Sequence, residues 1–124
     1  MQKILFIGLA GLLGTIGRYA LTSYATERIG GRFPSGTLLV NVLGCFLAGI
    51  LVYEFQERWS FSPATQNVVM IGLLGGFTTF SSYGLQTFTL LRDGQPGLAT
   101  LNVVASNVLG MLMVWAGYAL GKSL

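Results

Sequence analysis

The stretch GGFTTFSSYG, residues 75–84, lies inside an otherwise apolar run, and its reading decides the fold. A glycine pair, four serine and threonine hydroxyls and several aromatic rings sit where an unbroken apolar helix would have the lower free energy in lipid. The run around it extends from about Gln66 to Leu91. Three others resemble it, at about Ile4–Tyr24, Ser35–Tyr53 and Gly97–Leu120. Each reaches the roughly 18 residues or more needed to cross about 30 Å of hydrocarbon. The composition agrees, since 52% of the 124 residues are apolar, 9% are charged and the mean hydropathy is +0.68. We therefore read residues 1–124 as one all-α, four-span, multi-pass membrane domain, with no soluble domain, linker or low-complexity tail. The N-terminal run is a span and not a secretory signal: it lacks a short apolar core followed by a small-residue cleavage site, and Arg18 interrupts it.

The loops are short: ERIGGRFP (27–34), EFQERWSFSP (54–63) and RDGQP (92–96). With four spans, Lys3, Arg58 and Lys122 share one side while Arg28, Arg32 and Arg92 share the other. This balance of cations gives the insertion machinery no preference. The expectation is a dual-topology protein working as an antiparallel homodimer, because so few short spans do not enclose an aqueous path alone. Glycines support close helix packing: Gly8, Gly11, Gly14 and Gly17 recur every third residue, Gly44 precedes Ala48 by four, and Gly117 precedes Gly121 by four. The repeat NVLG, at 41–44 and 107–110, suggests that the second and fourth spans pack alike.

Polar groups inside spans are expensive in hydrocarbon and must face protein, water or substrate. Arg18, Asn41, Ser106, Asn107 and the hydroxyls of residues 78–82 stand out. Arg18 either snorkels toward headgroups or lies at the mouth of an anion path. Asn41 and Asn107 act as interhelical glue or as ligands. No Asp or Glu falls within an apolar run, since Glu27, Glu54, Glu57 and Asp93 lie at edges or in loops. That argues against the competing class of small dual-topology multidrug or cation exporters, which needs a titratable carboxylate in the membrane, and against a carboxylate-ringed cation pore. A purely structural membrane subunit is the bland alternative.

Gly75 and Gly76 each weaken a helix by about 1 kcal/mol relative to alanine, and the β-branched Thr78 and Thr79 weaken it further, so a break is expected here. Broken backbone at membrane depth survives only against protein or a polar cavity. It exposes carbonyls suited to a cation at the end of the first half-helix and N–H groups suited to an anion at the start of the second. If two antiparallel copies cross at their breaks, two carbonyls from each form a four-oxygen cage that fits sodium as a structural staple. Phe80 and Tyr83, three apart, share a helix face whose ring edges carry partial positive charge.

At these residues the chain resembles the Fluc (CrcB) fluoride channel family, whose signature GG-x-(S/T)-TFS-x-F is similar to GGFTTFSSYG. Gly17–Arg18, GTLLVN (36–41) and the fourth-span NVLG also look like that family, and the likeness covers the whole chain. It implies an antiparallel homodimer in the bilayer of a bacterial-type inner membrane, with two pores that let fluoride leave the cytoplasm passively and exclude chloride. It places the structural sodium on the carbonyls of Gly75 and Thr78, pore aromatics at Phe80 and Tyr83, the pore amide at Asn41 and a vestibule arginine at Arg18. Thr37, Thr79, Ser81 and Ser82 are its candidates for a polar track. The chain departs from the pattern twice. Tyr83 stands where Phe is usual, so its hydroxyl either donates to the ion or points away, and Gln86 stands where Glu is frequent. Without histidine, and with one cysteine, Cys45, inside an apolar run, no enzyme centre can be assembled. The net charge of +3 is spread thinly and indicates no nucleic-acid partner.

Overall fold

A computed structural model describes residues 1–124. Every element is helical, and four segments are long and apolar enough to cross a membrane: Gln2–Ile29, Ser35–Arg58, Pro63–Arg92 and Pro96–Ser123. The first is helix α1 (Gln2–Ile29). It ends at Gly30, whose N–H still bonds the Thr26 carbonyl at 2.9 Å and whose φ of 63° then turns the chain out of the helix. The second is α2 (Ser35–Tyr53), continued by a π-helical turn over Glu54–Arg58. The third starts with α3 (Pro63–Asn67), widens into a π-helical stretch over Val68–Leu74 and regains α geometry in α4 (Gly75–Phe77). After an interruption it resumes as α5 (Phe80–Arg92). The fourth is α6 (Pro96–Ser123).

The helices run past the apolar stretches that announce them. Hydropathy marks the hydrocarbon core, whereas helix ends are set by caps outside it. Ser62 accepts the Thr65 N–H at 3.2 Å with Pro63 at the first helical position, so the third span begins three residues before Gln66.

Glycine sets the packing. α2 lies on α6 through a reciprocal contact: a Cβ on Gly49 would meet the Val114 carbonyl and the Tyr118 N–H, and one on Gly117 would meet the Phe46 carbonyl and the Ile50 N–H. These two helices therefore touch backbone to backbone. The NVLG glycines do different things, contrary to the expectation that the repeat packs alike: Gly44 faces the Thr78 methyl, while Gly110 faces Cys45 Sγ. On α1, Gly14 lies against the Leu73 carbonyl and Gly17 against the Phe77 ring, but Gly8 faces open space. So α1 packs on the first half of the third span along only part of its glycine stripe.

Only 17 of the 124 residues are buried, too few to cover a helical domain of this size in water. Large apolar side chains such as Leu5, Leu9, Leu12, Leu13 and Ile16 lie exposed along α1, as a lipid-facing surface or an interface with other protein requires.

Candidate functional site

The interruption of the third span falls at Thr78 and Thr79, whose backbones are extended (φ −82°, ψ 159° and φ −151°, ψ 111°). It does not fall at the glycine pair to which the sequence reading gave the larger share of the weakness. Gly75 is helical, with φ −63° and ψ −35°, and Gly76 packs against the Gly11 backbone of α1. Gly76 thus allows the close approach of α1, and the β-branched pair, stiff at χ1, takes the extended conformation.

Each backbone group released at this depth needs a partner. Asn41 supplies two. Its Oδ1 accepts the Thr79 N–H at 2.8 Å, and its Nδ2 donates to the Thr79 carbonyl at 3.0 Å, so one amide on α2 replaces a strand neighbour for the extended residue. Gly44, one turn along, makes room for the Thr78 methyl, which lets α2 come this near. Thr78 keeps its last helical bond, with both its N–H and its hydroxyl donating to the Leu74 carbonyl at 2.9 Å. Thr79 caps the second half-helix by accepting the Ser82 N–H at 3.2 Å, and its hydroxyl donates to Ser82 Oγ at 2.9 Å. The Phe80 and Ser81 N–H groups, at the positive end of α5, lie in the first helical turn and have no protein acceptor.

The carbonyls released on the other side behave as the half-helix argument requires. The Gly75 carbonyl loses its helical partner because the Thr79 N–H goes to Asn41. The Thr78 carbonyl loses the Ser82 N–H to the Thr79 hydroxyl and receives Arg18 Nη1 at 3.4 Å. Arg18, expected to snorkel or to sit in a vestibule, is thus turned toward the break. Thr15 Oγ1 donates to the Gly76 carbonyl at 3.5 Å, a contact that sequence reasoning missed.

Beside the interruption lies a cavity of about 430 Å³, lined by Asn41, Gly75, Thr78, Thr79, Phe80 and Tyr83, with Cys45, Ser106 and Asn107 completing its polar side. Most of the expected site residues meet there. The Phe80 and Tyr83 rings share a face, their centroids 5.4 Å apart and tilted by 45°. Phe80 is 83% exposed, so most of its ring faces out of this single copy. The cavity wall does not include Thr37, buried one turn before Asn41, nor Ser81, Ser82 and Arg18. Gln86 lies apart, in a second cavity of about 660 Å³ near the first and third loops that it shares with Arg32 and Asp93. Its Oε1 is buried without a donor.

A buried polar cluster between α5 and α6 went unread in the sequence. Asn102, 2% exposed, donates to Thr87 Oγ1 at 2.9 Å, Thr87 donates to the Tyr83 carbonyl at 2.8 Å, and Ser106 Oγ reaches Asn102 Oδ1 at 3.5 Å. The rule that singled out Asn41 and Asn107, an amide inside an apolar run, also applies to Asn102.

These features define a multi-pass helical membrane protein whose third span is opened at its middle by a polar clamp beside a donor-lined cavity. Over residues 5–118 the chain matches the family described as CrcB-like protein, Camphor Resistance (CrcB). It belongs to that family. A relative from Opitutus terrae, the fluoride-specific ion channel FluC, is 46% identical over 120 residues, covering 95% of this chain and 91% of the relative. Proteins of the same name from Desulforapulum autotrophicum and Geotalea daltonii are each 41% identical, over 98% of this chain and 97% and 98% of their own lengths.

Proposed function

We propose that this chain is a fluoride-selective channel that lets fluoride leave the cytoplasm of a bacterial-type cell passively across its inner membrane, lowering internal fluoride and its toxicity. The activity is passage of an ion and not a chemical conversion. One observation carries the reading: the interrupted third span borders one cavity at membrane depth whose lining holds amides, hydroxyls and aromatic rings and no acid. Fluoride is the smallest halide, holds water tightly and accepts strong hydrogen bonds. A passage that replaces this water group by group favours it over larger ions. Asn41 uses one amide hydrogen on the Thr79 carbonyl and keeps the other for a guest, while Phe80 and Tyr83 line the cavity with rings whose rims carry partial positive charge. Thr37, Thr79, Ser81 and Ser82 extend this polar lining in the assembled pore, and Arg18 supplies the positive charge that draws anions toward it. The absence of carboxylates within the apolar runs disfavours the exporter alternative.

The working unit in this proposal is an antiparallel homodimer. Two features support it: the balanced loop cations, and a path aromatic 83% exposed in one copy, which needs a second copy to enclose it. Where the third spans cross, the Gly75 and Thr78 carbonyls of both copies would hold sodium. The donor set fits, because both oxygens have lost their helical N–H and the cation from Arg18 takes only one of the two lone pairs on Thr78. Sodium there would supply a neutralising charge for four carbonyl dipoles that otherwise face one another, fastening the two copies together.

The test is a fluoride-electrode trace from liposomes loaded with KF, reconstituted with the protein and triggered with a potassium ionophore. Rapid fluoride release without matching chloride release is expected. Chloride efflux of equal rate would reject the selectivity, and silent liposomes would favour a structural subunit.

A further inference from the structure

Tyr83 is the position at which this chain departs from the phenylalanine of the motif, and the structure shows what its hydroxyl is bonded to. Asn107 Nδ2 donates to the Val103 carbonyl at 2.8 Å, one turn back on α6, and also reaches Tyr83 Oη at 3.4 Å. The Val103 carbonyl can only accept, so it fixes the amide with its NH₂ group toward that carbonyl and toward the tyrosine. An NH₂ group can only donate, so Tyr83 Oη is the acceptor in that pair. The hydroxyl proton is therefore left free, and the protein offers it no acceptor. Tyr83, Asn107, Asn41 and Phe80 line the same cavity together with Thr79 and Ser106, whose hydroxyls bond to Ser82 and Asn102, while Asn41 keeps one amide hydrogen unpaired. A guest that pairs with the unpaired Tyr83 and Asn41 hydrogens must accept hydrogen bonds, as a small anion does.

We infer that the Tyr83 hydroxyl, held through its oxygen by Asn107, is a direct hydrogen-bond donor to the anion in this cavity, with Asn107 as the residue that aims it. The inference rests on the fluoride-channel reading and adds to it a ligand that a phenylalanine cannot supply.

The experiment measures initial fluoride efflux against internal fluoride concentration for the reconstituted full-length protein, Tyr83→Phe, Asn107→Leu and the double variant. Tyr83→Phe keeps the ring and removes only the donor. It should raise the half-saturating fluoride concentration about tenfold, as expected for the loss of one hydrogen bond to a charged partner. Asn107→Leu should raise it by a similar factor, and the double variant no further than either alone, because both changes remove the same aimed donor. A Tyr83→Phe protein with unchanged half-saturation overturns the inference and leaves the channel reading intact. A double variant shifted by the product of the two single effects overturns the role of Asn107 in aiming the hydroxyl. Wild-type protein that passes no fluoride removes the channel reading itself, and this inference with it. Should Asn107→Leu fail to fold, Tyr83→Phe decides alone.

Discussion

In Phe80→Ile, fluoride efflux is expected to fall by roughly 100-fold, the effect of removing one fixed partner of an anion in a site shielded from water. The ring stands at the first position of α5, directly after the extended Thr79, and lines the cavity beside Tyr83. Isoleucine fills comparable volume but has no polarised rim. The variant should fold normally, because Phe80 is 83% exposed in the single copy and little of its surface is packed within it. Efflux from liposomes reports the result, with elution of the detergent-purified protein as the folding control. Unchanged efflux would remove the aromatic edge from the path.

The second large effect concerns folding. Gly117→Ala places a methyl group against the Phe46 carbonyl and the Ile50 N–H, which are backbone atoms that cannot rotate away. Relief requires α2 and α6 to separate, which also weakens the reciprocal contact at Gly49. Overpacking of a tight interior costs about 1–3 kcal/mol, and a backbone obstacle puts this case at the upper end. Gly8→Ala is the matched control. Nothing lies within 4 Å of its added methyl, and alanine favours the helix by about 1 kcal/mol. Thermal loss of the monodisperse peak should come many degrees earlier for Gly117→Ala than for wild type, and no earlier for Gly8→Ala. Equal stability of the two variants would refute backbone contact between α2 and α6.

Much of the architecture was legible because lipid imposes long apolar runs, and the four runs correspond to the four helical spans. The interruption was legible to within a few residues for the same reason: hydroxyls and glycines at membrane depth demand an explanation. Its position was harder to read. Helix propensity points to Gly75 and Gly76, but α1 approaches so closely at Gly11 that Gly76 is needed for packing, and the break falls at the threonines. Propensity is local, whereas the approach of α1 is a tertiary fact. The pair of hydrogen bonds between Asn41 and Thr79 was equally hidden, since the residues are 38 positions apart and nothing in either segment announces the other. The π-helical stretches had no signal at all in the apolar periodicity. Arg18 shows the limit for long side chains: its place on α1 was evident, but its turn toward the Thr78 carbonyl depends on where the break falls.

A cryo-electron map of the protein in a lipid nanodisc tests most directly whether a pair of interrupted third spans builds the path. Two copies should appear in opposite orientations, their third spans crossing at Thr78, with non-protein density on the twofold axis between the Gly75 and Thr78 carbonyls. A third span that runs as an unbroken helix, or two copies inserted in the same direction, would contradict the account.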